Sequence, residues 1–263
     1  MQNRYTGDIG DFGKYGLLRA LCHPQDYCEP SLRLAVIWYL VPSESHNDDG
    51  KYVQYLEPRE NNLKRFRDCD PPLFDSLAQI VRQGKRSVAS IRAAGIFPPN
   101  TIFYDAPLSY TGIPWSGARA RELRVEHRRR WVEEALKASA QSDLIFVDPD
   151  NGLECQTKPY AKRGPKYAYF DELLPYVHRG RSLVIYHHLN RSCSAQEQVA
   201  ARLQQLRSTF ELDDLFAVLY RRGTLRAFFI ASTPTHRDIL LKRMAGFLQG
   251  PWGRHFESIE WGT

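Results

Sequence analysis

The strongest constraint on this chain comes from two continuous apolar runs separated by a helix-forming segment. Leu144, Ile145, Phe146 and Val147 end in Asp148, residues 170–177 carry helical spacing, and residues 182–186 form the next apolar run. Strands that are apolar throughout, rather than at alternate positions, are those buried on both faces, as in a parallel sheet covered by helices. Strand, helix and strand in that order imply parallel pairing and an α/β fold.

The remaining segments fit the same scheme. Residues 32–41 form an apolar run rich in Val, Ile, Trp and Tyr, which suits a strand near the sheet centre, and residues 100–105 form another short strand. Helical spacing appears over 11–22, through Phe12, Tyr15, Leu18 and Cys22, and over 73–83, 117–140, 195–210 and 236–247. Residues 215–220 and 225–231, separated by a turn containing Gly223, read as a terminal antiparallel hairpin. No repeat or low-complexity linker interrupts the 263 residues, so the expectation is a single domain over 1–263, a doubly wound and mostly parallel sheet with helices on both faces.

Composition excludes several classes. Hydrophobic residues make up 43% and charged residues 25%, and no run approaches the roughly 20 apolar residues that a bilayer requires. The first residues lack the apolar stretch of a secretory signal, so a cytoplasmic location is expected. Five irregularly spaced cysteines, an odd number, read as reduced thiols rather than a disulfide framework. Thirty-six Lys and Arg against 30 Asp and Glu give a charge of +6, which favours polyanionic partners. The cations cluster at Arg119, Arg121, Arg124, Arg128, Arg129 and Arg130 on one helix and at Lys158, Lys162, Arg163 and Lys166 in one loop. Nucleic acid is therefore the expected partner.

The chemistry centres on Asp148, Pro149, Asp150, Asn151 and Gly152. In open α/β sheets ligands bind beyond the carboxyl ends of the strands, which is where Asp148 sits. Pro149 stiffens the corner and Asn151-Gly152 accommodates positive φ, so Asp148, Asp150 and Asn151 are presented together, with Glu154 and Lys158 close behind. The same residues also make an ordinary turn after a strand. His187 and His188 end the following strand, and because successive strand residues face opposite sides, only one imidazole shares the face of Asp148. Arg191 beyond them suits phosphate or carboxylate recognition.

This pattern resembles motif IV and the next strand of S-adenosylmethionine-dependent amino-methyltransferases, whose usual form is Asp/Asn-Pro-Pro-Tyr. Gly10, Asp11 and Lys14 are similar to the Gly-x-x-x-Asp-x-x-Lys helix that opens the large-subunit ribosomal RNA adenine-N6 methyltransferase family. The resemblance implies a Rossmann-like methyltransferase fold and transfer of a methyl group from S-adenosylmethionine to an exocyclic amine of a base. Asp148 would then orient the amine with help from Asp150 or Asn151, and Lys14, Tyr15 and Asp105 would line the cofactor pocket. Where that family carries a Gly-rich loop after its first strand, this chain has no glycine until Gly50. Asp150-Asn151 replaces Pro-Tyr, leaving Tyr160, Tyr167 and Tyr169 to stack on a flipped base.

Two other readings use the same residues. Asp148, Asp150 and Glu154, joined by Asp8, Asp11 and Asp105, supply the oxygen ligands that Mg²⁺ or Mn²⁺ prefers, and Lys158 would stabilise charge in a metal-dependent nuclease or phosphohydrolase. The third reading is a relic of the methyltransferase fold that binds nucleic acid or protein without catalysis.

Overall fold

The computed structural model describes residues 1–24, 29–45 and 48–259. Helix α1 spans Ile9–Cys22 and begins ahead of Asp11, because Asp8 caps it by accepting the Asp11 N–H at 2.9 Å. Strand β1 (Leu34–Trp38) follows. Two short helices, α2 (Glu60–Arg65) and α4 (Val88–Ala93), flank α3 (Pro71–Arg82), whose start is set by an Asp70 cap and prolines in its first turn. Next come β2 (Ile102–Tyr104), α5 (Ala120–Ala138) and β3 (Leu144–Asp148). A two-stranded parallel pair, β4 (Gly152–Leu153) and β5 (Tyr167–Ala168), brackets the loop after β3. The chain closes through α6 (Phe170–His178), β6 (Ser182–His188), α7 (Ala195–Phe210), β7 (Leu215–Tyr220), β8 (Arg226–Ala231), α8 (Arg237–Gln249) and β9 (Phe256–Ile259).

The main sheet has seven strands in the order β2-β1-β3-β6-β8-β7-β9. Strands β2, β1, β3 and β6 are parallel, while β8 is inserted antiparallel between β6 and β7. The hairpin of β7 and β8 is present but is not terminal. Strand β9 pairs antiparallel with β7 and takes the edge, which docks the carboxyl-terminal aromatic segment through buried Trp252 and Phe256. No helix among the described residues is long and apolar enough to cross a membrane.

Strand pleating sorts the core into two layers. Val36, Trp38, Phe146, Val184, Tyr186, Val218 and Phe228 face α1, α3 and α8, whereas Ile37, Ile145, Val147, Ile185 and Phe229 face α5, α6 and α7. Helix α1 approaches β7, β8 and the carboxyl-terminal segment through a face of glycines. A Cβ at Gly13 would fall 2.6 Å from the Tyr220 ring, and one at Gly16 would fall 2.2 Å from the Trp252 ring. That close approach brings the first turns of α1 to the carboxyl ends of β3 and β6.

Candidate functional site

Asp148 is fully buried at the end of β3, on the face that meets α1. Lys14, one turn into α1, reaches it with Nζ 2.9 Å from Oδ1 and 3.1 Å from Oδ2, and lies 3.2 Å from Asp11 Oδ1. Asp11 and Asp148 therefore do converge, with the Lys14 ammonium between them. Burial works against that ammonium, but Asp148 and Asp11 outweigh it and raise its pKa. Burial pushes the Asp11 carboxyl up to about 7 against the pull of Lys14. Asp148 is thus the nearer of the two counter-ions of Lys14.

The sheet changes winding direction between β1 and β3, which makes their carboxyl ends the expected ligand crevice. Here that crevice is filled. The Met1 amino group donates to the carbonyls of Tyr39 (2.9 Å) and Asp148 (3.3 Å) and lies 3.6 Å from Asp150 Oδ1. Asp150 also accepts from Gln2 Nε2 at 2.9 Å and pairs with Lys166 at 3.3 Å. Burial alone would raise the Asp150 pKa, but the Met1 amino group, Gln2 and Lys166 together hold it below the usual carboxylate value.

The open space lies one strand further along, over the ends of β3 and β6 and the start of β8. It is a cavity of about 1000 Å³ whose lining includes Lys14, Asp150, Asn151, His187, His188 and Arg226. The pleat resolves the two histidines. His188 lies on the face of Asp148, its ring edge-on to Tyr186 at 5.3 Å, while its backbone N–H donates to the Asn151 carbonyl at 3.2 Å. His187 faces the α5–α7 layer, where Nδ1 accepts the Leu153 N–H at 3.0 Å, so Nε2 carries the proton when the ring is neutral. Gly152 at φ +114° permits this, since a Cβ there would fall 2.3 Å from His187 Nδ1. Burial lowers the pKa of both imidazoles to about 3, so both are neutral at pH 7.

The other expected residues scatter. Tyr15 is buried in the core, donating to Asp11 Oδ2 at 3.1 Å and meeting Phe97 edge-on. Asp105 sits beyond β2 in an ion pair with Arg92 at 3.3 Å. Of the three expected cofactor residues, only Lys14 lines the cavity. Glu154 also lines it, but Oε2 is occupied by the Phe170 N–H at 3.0 Å. Lys158 and Arg191 are exposed and lie outside the lining. With Asp148 held by Lys14, Asp150 by Lys166 and Glu154 by α6, the trio does not fit a cation; among the described residues no group of three or more His, Cys, Asp or Glu is arranged to hold a metal ion. The missing glycines and the seated Met1 likewise leave the β1–β3 crevice a poor fit for S-adenosylmethionine.

The arginine-rich helix divides in two. Arg124 and Arg128 are buried struts: Arg124 Nε donates to the Tyr160 carbonyl at 2.9 Å, and Arg128 holds Glu172 and the carbonyls of Gly164 (3.0 Å) and Tyr167 (2.7 Å). Arg129 and Arg130 pair with Glu126 on their own helix. These struts dock the 158–166 loop on α5, with Arg121 over the Tyr160 ring at 4.2 Å, and the loop exposes Lys158, Lys162 and Arg163. Arg226 did not stand out in the sequence; its signal is an arginine at a core-facing position of an apolar strand, two residues before Phe228.

No protein-family model matches the chain, and a search of curated proteins finds no match.

Proposed function

We propose that this chain acts on nucleic acid through a Rossmann-like, methyltransferase-type architecture, taking one nucleotide into the cavity over β3, β6 and β8. The observation that carries the reading is the continuity between that cavity and the basic surface. Gln156 and Tyr167 line the cavity, and the loop joining them presents Lys158, Lys162 and Arg163. Backbone phosphates gathered by such a loop place a nucleotide at the mouth of a pocket of suitable size. Inside, Asn151 and the neutral His187 and His188 provide hydrogen-bonding groups of the kind that read the edge of a base.

The arrangement favours binding through Asn151 and the histidines over orientation of an amine by Asp148. Methyl transfer from S-adenosylmethionine has support from the Asp148-Pro149 corner and the α1 pattern, and none from the β1–β3 crevice. Both points are tested on the intact protein. Fluorescence anisotropy with single-stranded RNA and DNA 12-mers should give binding that weakens steeply as salt rises from 50 to 200 mM. Calorimetry with S-adenosylmethionine should give no heat. Absence of oligonucleotide binding at 50 mM salt would overturn the reading, whereas cofactor binding with methyl transfer to either oligonucleotide would return Asp148 to the chemistry.

A further inference from the structure

The cavity holds a buried cation with no ion-pair partner within 4.0 Å among the described residues. Arg226 is 5% exposed and lines the cavity at the start of β8, opposite His188 on β6. Its Nε donates to the Tyr186 hydroxyl at 3.0 Å, and Nη1 donates to the carbonyls of Arg222 and Thr224, both at 2.8 Å. All three acceptors are neutral, and Nη2 has no hydrogen-bond partner among the described residues. No described carboxylate lies within 4.0 Å of the guanidinium. Asp8 acts on it from beyond that distance, with one oxygen committed to the Asp11 N–H.

A buried charge of this kind is costly unless something pairs with it. Its neighbour shows the contrast, because Lys14, stacked over the Tyr186 ring at 4.5 Å, is neutralised by Asp148 and Asp11. The three acceptors hold the guanidinium plane fixed, which leaves the two Nη2 N–H groups to donate to an anion. Its neighbour across the sheet, His188, is neutral and adds no opposing charge. We infer that Arg226 anchors an anion subsite in the cavity and that its ligand is a phosphate group of the bound nucleotide. This rests on the nucleic-acid reading for the identity of the ligand, while the anion site itself follows from Arg226 alone. The phosphate is either a terminal monoester of a free nucleotide or a diester within a strand.

Three probes separate these cases: inorganic phosphate, adenosine 5′-monophosphate compared with adenosine, and a single-stranded 12-mer, each titrated calorimetrically into the full chain. The monophosphate should bind at least about 10-fold more tightly than adenosine. Thr224→Glu, at an exposed position whose carbonyl already touches Arg226, puts a carboxylate beside the guanidinium without removing it and should bring that ratio to near one. Arg226→Lys, which keeps the charge and loses the Nη2 donors held in a fixed plane, should lower it several-fold. Equal affinities for the monophosphate and adenosine in the unaltered protein would overturn the assignment. Oligonucleotide binding that Thr224→Glu leaves unchanged would keep the nucleic-acid reading and remove Arg226 from it. Phosphate and monophosphate binding without oligonucleotide binding would keep the subsite and remove the nucleic-acid reading.

Discussion

Lys14 and Asp148 are 134 residues apart in the chain and 2.9 Å apart in the fold, the ammonium of α1 pinned beneath the end of β3. The pair ties the first helix to the centre of the sheet and leaves Asp148 fully buried, outside the residues that line the cavity. Asp148→Asn should cost about 3 kcal/mol or more in urea unfolding, because it strips a buried ammonium of its principal partner. The double variant Lys14→Leu/Asp148→Leu should lose less than the sum of its two single variants. Strict additivity would show that the two residues are not coupled.

Arg128 is expected to behave as a structural residue in spite of its place in a basic run. Arg128→Met should destabilise the fold by about 3 kcal/mol, since it leaves Glu172 and the carbonyls of Gly164 and Tyr167 without their donor. Arg121→Gln and Lys162→Gln should leave the melting temperature unchanged and each reduce the salt slope of oligonucleotide binding by about 1. A reversal of these two behaviours would refute the division of the basic cluster.

Acid should weaken the fold through its histidines. Burial pushes His187 and His188 down to about 3 and His255 to about 4. The unfolded chain takes up these protons near pH 6.5, so the contribution is complete above that value and is lost as pH falls toward 3. The slope is at most about 1.4 kcal/mol per pH unit for each histidine. Asp11 opposes this: its folded pKa of about 7 lies above its ordinary 3.8, so its contribution declines as pH rises between those values. Three histidines against one carboxyl give a net gain in stability from pH 5 to 6.5. Urea midpoints that stay flat or fall over that range would contradict the assignment.

The glycine face of α1 predicts a steric penalty. Gly13→Ala would place a methyl group 2.6 Å from the Tyr220 ring, and Gly16→Ala would place one 2.2 Å from the Trp252 ring. Each should lower stability by about 1–3 kcal/mol, although alanine is the better helix former. Guanidinium denaturation that shows either variant at or above the stability of the parent chain would disprove the close packing.

Local patterns in the sequence determined the elements. Continuous apolar runs marked the buried strands β1, β3 and β6, and helical spacing marked α1, α3, α5 to α8, because periodicity and burial act over a few residues of chain. The corner at Asp148-Pro149-Asp150-Asn151-Gly152 was legible for the same reason, down to the positive φ of Gly152. Short elements such as α2, α4 and β9 left too brief a pattern to be read. The tertiary structure alone decided what each charge meets. Side chains at strand ends acquire their partners from sheet order and helix packing, which is why Asp148 pairs with Lys14, Asp105 with Arg92 and Arg128 with Glu172. For the same reason Arg226, in a strand that read only as apolar, lies over the cavity with no carboxylate within 4.0 Å among the described residues: β8 is inserted beside β6, and no local pattern carries that placement.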